Sequence, residues 1–309
     1  MDRITVAIAG GSGFIGRAIV RRLGDTARVR VLTRNPDAVR VRLAGTGAEF
    51  VRADVTDAAS LEPAMAGAQV AINAAQFDGY PIENPGRGLT FERVDYGGTV
   101  AMIAAARKAG VGRIIYISGA AADERSRQPG FRAKGRAERA IRESGQAGQA
   151  GIDFTIFRPA LVYGADDRVT NLLARAIKYA PVFAIPGTGK QIVQPVAVDD
   201  LATCVAMAVG GSGRNATFAI GGPEPLSFEE LIRLMMELSG HRRPIVHVPE
   251  TLMRLAGTLA EMLPRPVFSR DAVDFLLADN RCDLGPLIAE FGIRLTPARA
   301  GMSYLKPKA

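Results

Sequence analysis

Ile4-Thr5-Val6-Ala7-Ile8-Ala9 runs straight into Gly10-Gly11-Ser12-Gly13-Phe14-Ile15-Gly16. The first stretch reads as a buried strand. Phe14, Ile15, Ala18, Ile19, Val20 and Leu23 then recur at helical spacing. A strand, a glycine turn and a helix in that order predict a dinucleotide-binding βαβ unit. One glycine lets the chain turn sharply, one lets the backbone approach a pyrophosphate, and one lets the helix pack close to the strand. The helix aims its unpaired N–H groups and positive dipole end at the phosphates. Gly10, Ser12, Gly13, Phe14, Ile15 and Gly16 are the first candidate cofactor residues.

About twenty residues after such a turn, a carboxylate normally accepts from the ribose 2′-hydroxyl of NAD. Here Val29-Arg30-Val31-Leu32-Thr33 ends in Arg34, with Asn35-Pro36 behind it as a helix cap. A guanidinium attracts the 2′-phosphate that a carboxylate repels. The sequence therefore predicts NADP(H) rather than NAD. Arg17, just after the last glycine, is a second candidate for that phosphate, though it also begins an amphipathic helix.

Strands and helices alternate through the first half. Helices are expected at Pro36 to Ala44, Ala58 to Met65, Phe91 to Ala109 and Ala133 to Ser144. Further strands are expected at Ala48 to Arg52, Gln69 to Asn73, Arg113 to Ser118 and Phe154 to Phe157. This repetition predicts an α/β fold, a Rossmann-type doubly wound parallel sheet with helices on both faces. Ligands in such sheets bind outside the carboxyl ends of the strands. That rule adds Asp54, Val55, Ala74, Ala75, Ser118, Pro159 and Val162 to the candidates. From about Arg158 the pattern loosens, and proline and glycine punctuate shorter helices at Asp199 to Met207, Ser227 to Leu238 and Glu250 to Leu263. Residues 1–160 are expected to form the NADP(H)-binding domain. Residues 161–309 are expected to form a smaller α/β lobe for substrate or partner, partly interleaved with the first. Glu143 to Gly151 reads as a glycine-rich surface connection. Leu252 to Leu263 is apolar around most of its circumference, either as a helix wedged in the small lobe or as an interfacial one.

The chain has 309 residues and a net charge of +8, carried mostly by arginine. No basic run is interleaved with aromatics and there is no tryptophan, which argues against nucleic acid. No apolar run approaches the ~18 residues of a spanning helix. The N-terminus lacks the arrangement of a signal peptide. Cys204 and Cys282 are far apart and His241 and His247 have no ligand-spaced partner, so neither a disulfide framework nor a metal site is expected. These features place the chain in the cytoplasm, with at most a peripheral contact on the cytoplasmic face of the inner membrane.

The chain resembles the short-chain dehydrogenase/reductase superfamily in its atypical branch. The matching stretches are Gly10 to Gly16, Leu32 to Pro36, Val94-Asp95-Tyr96-Gly97-Gly98-Thr99, Ala109 to Gly119, Lys134 to Glu138, Arg158 to Gly164 and Gln194 to Ala202. Ala180-Pro181, Ile185 to Gly189 and Gln194-Pro195-Val196 are similar to the 39 kDa accessory subunit group of respiratory complex I. The superfamily's chemistry uses a Ser, and a Tyr four residues before a Lys. The resemblance puts Ser118 and Lys134 at two of these positions, Lys134 also holding the nicotinamide ribose. Gly130 stands where the Tyr should be. Tyr80, Tyr96, Tyr116, Tyr163, Asp78 and Glu83 are the other groups that could supply a proton. Gly130 and the subgroup likeness imply an NADP(H)-binding accessory or assembly factor beside a respiratory or quinone-related complex. The alternative is an NADP-dependent oxidoreductase or epimerase-like enzyme acting on a hydroxyl or carbonyl, with a quinone-related compound as one candidate substrate.

Overall fold

The computed structural model describes residues 3–146, 151–261, 270–278 and 280–307. In chain order come β1 (Thr5–Ala9), α1 (Phe14–Leu23), β2 (Arg28–Thr33), α2 (Pro36–Arg42), β3 (Glu49–Arg52), α3 (Ala58–Met65) and β4 (Val70–Asn73). A π-helical stretch, Phe91–Gly97, leads into α4 (Gly98–Lys108), followed by β5 (Arg113–Ile117), α5 (Pro129–Gly145) and β6 (Asp153–Pro159). Then follow β7 (Val162–Tyr163), α6 (Val169–Tyr179), β8 (Phe183–Pro186), β9 (Ile192–Val193), β10 (Val196–Ala197), α7 (Val198–Val209) and β11 (Ala216–Ile220). The last elements are β12 (Leu226–Ser227), α8 (Phe228–Ser239), β13 (Ile245–Val248), α9 (Glu250–Glu261), α10 (Arg270–Leu277), α11 (Gly285–Phe291) and α12 (Ala298–Gly301).

These elements form two compact units. The first holds Met1–Pro159, Asp199–Ile220 and Leu284–Ile293, and the second Ala160–Val198, Gly221–Asp283 and Arg294–Ala309.

The first unit is built on a seven-stranded sheet in the order β11-β6-β5-β4-β1-β2-β3. Every pairing in it is parallel. The strand order reverses at β1 and β4, and right-handed crossovers then place helices on both faces. This is the predicted Rossmann-type sheet. Strands covered on both faces must be apolar throughout, and Val6, Ala7, Ile8, Ile72, Ile115 and Ile156 are all buried. Local caps set the helix starts. The Asn35 side chain accepts from the Ala38 N–H with Pro36 first in the helix, and the Asp57 carboxylate accepts from the Ala59 N–H.

The sequence reading differs most at two helix starts and by one added strand. The helix expected from Phe91 opens as a wider π-helical turn and becomes α-helical only at Gly98. The helix expected from Ala133 begins at Pro129, because proline is suited to the first helical position. The sheet also gains β11 from the later half of the chain. Arg113 of β5 donates to the Thr155 hydroxyl of β6 at 2.6 Å and to the Ser212 carbonyl just before β11. Phe218 of β11 packs edge-on to Phe291 of α11 at 5.1 Å, and both rings lie against Phe157 of β6.

The second unit has its own core of Leu161, Tyr163, Ile185, Phe228, Leu231 and Met235. Its α8 begins at a capping box of Ser227 with Glu230. The helix expected from Glu250 runs to Glu261, and Met262 and Leu263 lie outside the described residues, as do residues 147–150 of the glycine-rich connection. Leu252, Leu255 and Leu259 of α9 are exposed. Among the described residues, no helix is long and apolar enough to cross a membrane, and no cluster of His, Cys, Asp or Glu could hold a metal ion.

Candidate functional site

The glycine turn stands at the strand-order reversal. Gly10 has φ +79°, and a Cβ there would strike the Ala74 backbone. Ala74 and Ala75 therefore line the turn: the Ala74 N–H donates to the Ala9 carbonyl, and the Ala75 N–H to the Asn73 side chain at 3.1 Å. A Cβ at Gly16 would strike the Gly10 carbonyl, so α1 starts hard against the turn. The Gly13 N–H closes back on the Gly10 carbonyl, and the Arg17 N–H is the first to reach back along α1, to Gly13. The N–H groups of Phe14, Ile15 and Gly16 thus precede the first intrahelical bond. Gly13 caps the helix without a side-chain acceptor, and the first turn carries no acidic residue. An anion fits such a cradle. Ser12 and Gly13 flank it, Gly13 exposed.

Arg34 lies just beyond β2 and is half exposed. Its Nη2 is 2.7 Å from the Asp78 carboxylate, and the two side chains are 52% and 72% exposed. Arg52, which the sequence reading did not single out, donates from the end of β3 to the Arg34 carbonyl at 3.2 Å. A second guanidinium therefore accompanies the first. Arg17 is a correction in part: its Nη1 donates to the Ser12 carbonyl at 3.0 Å, so it braces the glycine turn. The Asp54 carboxylate is also used locally, accepting from the Thr56 N–H and hydroxyl. Val55 packs against Gly98 at the start of α4.

The family triad positions fall together in the first unit. Ser118 follows β5 and is buried, and its Oγ donates to Glu138 Oε1 at 2.6 Å. Glu138 is wholly buried and also takes Arg158 at 2.8 and 2.6 Å and Arg142 at 2.6 Å. The carboxylate of Glu138 holds Arg158 above the ordinary arginine value. Ser118 thus has its hydroxyl proton committed to Glu138. Pro159 ends β6 and accepts from the Ala120 N–H. Lys134 is buried, with Nζ 3.3 Å from Asp95 of the π-helical turn and 5.7 Å from the centre of the Tyr116 ring. Burial works against the Lys134 ammonium, but Asp95, the Tyr80 phenol and Glu138 outweigh it and raise its pKa. Burial also raises the Asp95 carboxyl, and Lys134 offsets only part of that rise.

Gly130 lies one turn before Lys134. A Cβ there would come within 2.9 Å of Phe91 Cε1. The Phe91 ring fills the space beside Gly130, and its N–H donates to Glu83 at 2.7 Å. The remaining proton-carrying candidates separate clearly. Tyr116 is in the core, where burial drives its hydroxyl well above the ordinary tyrosine pKa. The Arg136 guanidinium stacks on Tyr96 at 3.8 Å. Tyr163, expected as a possible lining residue, is buried against Gly301 in the second unit, because its ring completes that unit's core. Val162 belongs to the second unit as well, paired with Val196. Asp95, Glu138 and Arg158 carry the buried charges of this region. Asp95 and Glu138 lay in stretches already matched to the family, and Glu138 follows Lys134 at the i,i+4 spacing that shares a helix face.

A profile described as the NAD-dependent epimerase/dehydratase family matches residues 6–221. The chain belongs to that family. It is 28% identical to NADH dehydrogenase (ubiquinone) 1 alpha subcomplex subunit 9 from Arabidopsis thaliana mitochondria, over 90% of this chain and 70% of that protein. It is 27% identical to the (4-alkanoyl-5-oxo-2,5-dihydrofuran-3-yl)methyl phosphate reductase of Streptomyces griseus, over 78% of this chain and 75% of that protein. It is 26% identical to the 2-alkyl-3-oxoalkanoate reductase of Stenotrophomonas maltophilia, over 93% of each chain. Among solved structures, UDP-glucose 4-epimerase from Thermotoga maritima has the same fold, with a TM-score of 0.74, 19% identity, and 97% and 96% of the two chains covered.

These matches correct the functional expectation. The complex I subunit is one relative among several, and the reductases match the chain nearly as well and over comparable lengths. The accessory or assembly role does not stand. The family is one of NAD(P)-dependent enzymes, and the chain carries its dinucleotide fold.

Proposed function

We propose that the protein is an NADP(H)-dependent oxidoreductase that reduces a carbonyl group or oxidises the matching hydroxyl. The observation that supports it most is the cationic end of the β2–β3 edge. Arg34 stands where NAD sites carry a carboxylate, with Arg52 against its backbone. The nearest carboxylate, Asp78, comes from another loop and is mostly exposed, so a 2′-phosphate can compete for Arg34. The uncapped start of α1 would hold the pyrophosphate, with Gly10, Ser12, Gly13, Phe14, Ile15 and Gly16 around it. Ala74, Ala75 and Pro159 end the strands on either side, and Lys134 would hold the nicotinamide ribose. When bound, the dinucleotide supplies or accepts the hydride. Glu138 fixes Ser118 and Arg158, so the floor of the site is set before any ligand arrives.

Relatives named as reductases of 3-oxoalkanoates and of an oxo-dihydrofuran support a ketone carrying an alkyl chain as the substrate class. The buried thiols Cys204 and Cys282 support a reducing compartment. The test has two parts. Nucleotide released from freshly purified protein is identified by mass spectrometry, and NADPH consumption is followed with 3-oxo esters, diketones and quinones. Exchangeable NADP(H) and turnover of a ketone are expected. A nucleotide that never exchanges, with no turnover of any carbonyl, would overturn the proposal.

A further inference from the structure

The triad Tyr is absent from α5, yet the Tyr80 ring packs on the Phe91 ring that fills the space beside Gly130. We propose that Tyr80, on the loop between β4 and the π-helical turn, is the proton donor that replaces the missing family tyrosine. The inference rests on the oxidoreductase reading given above.

Three observations carry it. First, the space beside Gly130 is filled by Phe91, so a side chain at position 130 would meet that ring. Second, Tyr80 packs edge-on to that same Phe91 ring, with centroids 5.5 Å apart and an interplanar angle of 81°. Phe77 completes the cluster, 5.7 Å from Tyr80 and 5.0 Å from Phe91. The rings fix the Tyr80 plane while leaving the residue only half buried. Third, Tyr80 is among the groups that, once ionised, favour the Lys134 ammonium. The attraction is mutual: an ammonium that is stabilised by a phenolate stabilises that phenolate in turn. The charged and titratable groups facing this pair are Asp95 and Glu83 around the π-helical turn, Glu138 on α5 and Tyr116 on β5. Asp95 and Glu138 oppose a phenolate at Tyr80, and Lys134 favours it.

The step balances without further reagents. When bound, the reduced dinucleotide would supply the hydride to the carbonyl carbon and be left oxidised. The carbonyl oxygen takes the Tyr80 proton, so one O–H bond breaks and one forms. The resulting phenolate is held by Lys134 until water returns the proton. Oxidation of the alcohol runs the same step backwards.

Tyr80→Phe keeps all three rings, so the cluster remains packed. Phenolate absorbance is titrated in wild type and in this variant, and the difference isolates Tyr80. It should titrate below the ordinary tyrosine value of about 10. Titration at or above that value would overturn the proposal, whatever the turnover. On an accepted ketone, Tyr80→Phe should lower kcat by about 10²- to 10⁴-fold, the usual share of general acid catalysis, with NADPH affinity unchanged. Wild-type turnover in the variant would also overturn it. If wild type reduces no carbonyl at all, the oxidoreductase reading fails, while a depressed Tyr80 titration still supports the Tyr80–Lys134 couple.

Discussion

Removing the Arg34 guanidinium should separate the two nicotinamide cofactors. A charge-assisted hydrogen bond to a 2′-phosphate is worth about 1.5–3 kcal/mol. Arg34 does not start free, because its Nη2 already lies 2.7 Å from Asp78. Both groups are more than half exposed, and such a pair is worth only about 0–1 kcal/mol. The phosphate must displace it, which leaves about 0.5–3 kcal/mol of net preference. At about 1.4 kcal/mol per tenfold, Arg34→Ala should weaken NADPH by about 2- to 140-fold and leave NADH nearly unchanged. Asp78→Asn should do the reverse and tighten NADPH by up to about fivefold, since the competing pair is gone. The assay is titration of nicotinamide fluorescence with each cofactor, at low and at high salt. Screening should narrow the wild-type preference for NADPH. Equal losses for both cofactors in Arg34→Ala, or a wild-type preference for NADH, would refute the assignment of Arg34 to the 2′-phosphate.

Other variants test other parts of the molecule. Gly130→Tyr restores the family residue in name only: Phe91 occupies the space, so overpacking should cost about 1–3 kcal/mol in urea unfolding with no gain in turnover. A strong rise in NADPH-dependent activity would contradict it. Ser227→Ala removes the capping box of α8 and should cost about 1 kcal/mol, read as a lower urea midpoint at unchanged slope. Burial pushes the Cys204 thiol up to about 12, with Asp200 adding to it, and the Cys282 thiol up to about 11. Thiols are reactive as thiolates, so the folded protein should resist alkylation at pH 8 and label fully in denaturant. Rapid labelling of either cysteine in the native state would count against that burial.

Much of the Rossmann sheet is legible in the chain itself. β1, β4, β5 and β6 are apolar runs because both of their faces are covered. The phosphate turn is legible because each glycine answers a contact: Gly10 meets Ala74, and Gly16 meets the Gly10 carbonyl. Buried charge is harder to read. Asp95 and Glu138 look like ordinary surface residues in sequence, since charged side chains are nearly always exposed, and Lys134 stands out only through the family resemblance. Only the fold shows that they face one another. The exchange of Tyr for Gly at position 130 was visible, but its companion was not. Phe91 is 39 residues away and becomes relevant only because the π-helical turn points its ring at α5.

β11 was missed because Ala216-Thr217-Phe218-Ala219-Ile220 is short and far from the strand it joins. Its pairing with β6 has a consequence for how the protein is made. While the ribosome has delivered only the first 160 residues, β6 is the last strand of the sheet, and its N–H and C=O groups face open water on one side. That edge includes Phe154, Ile156 and Phe157, an apolar stretch able to pair with another nascent chain. The edge closes only when residues 216–220 emerge and bond to it. At roughly 5–20 residues per second, the unclosed interval lasts about 3–12 seconds. A clone truncated just after β6 would freeze the chain in that state, so aggregation during expression of such fragments would reflect an unfinished sheet and not a defect of the nucleotide site.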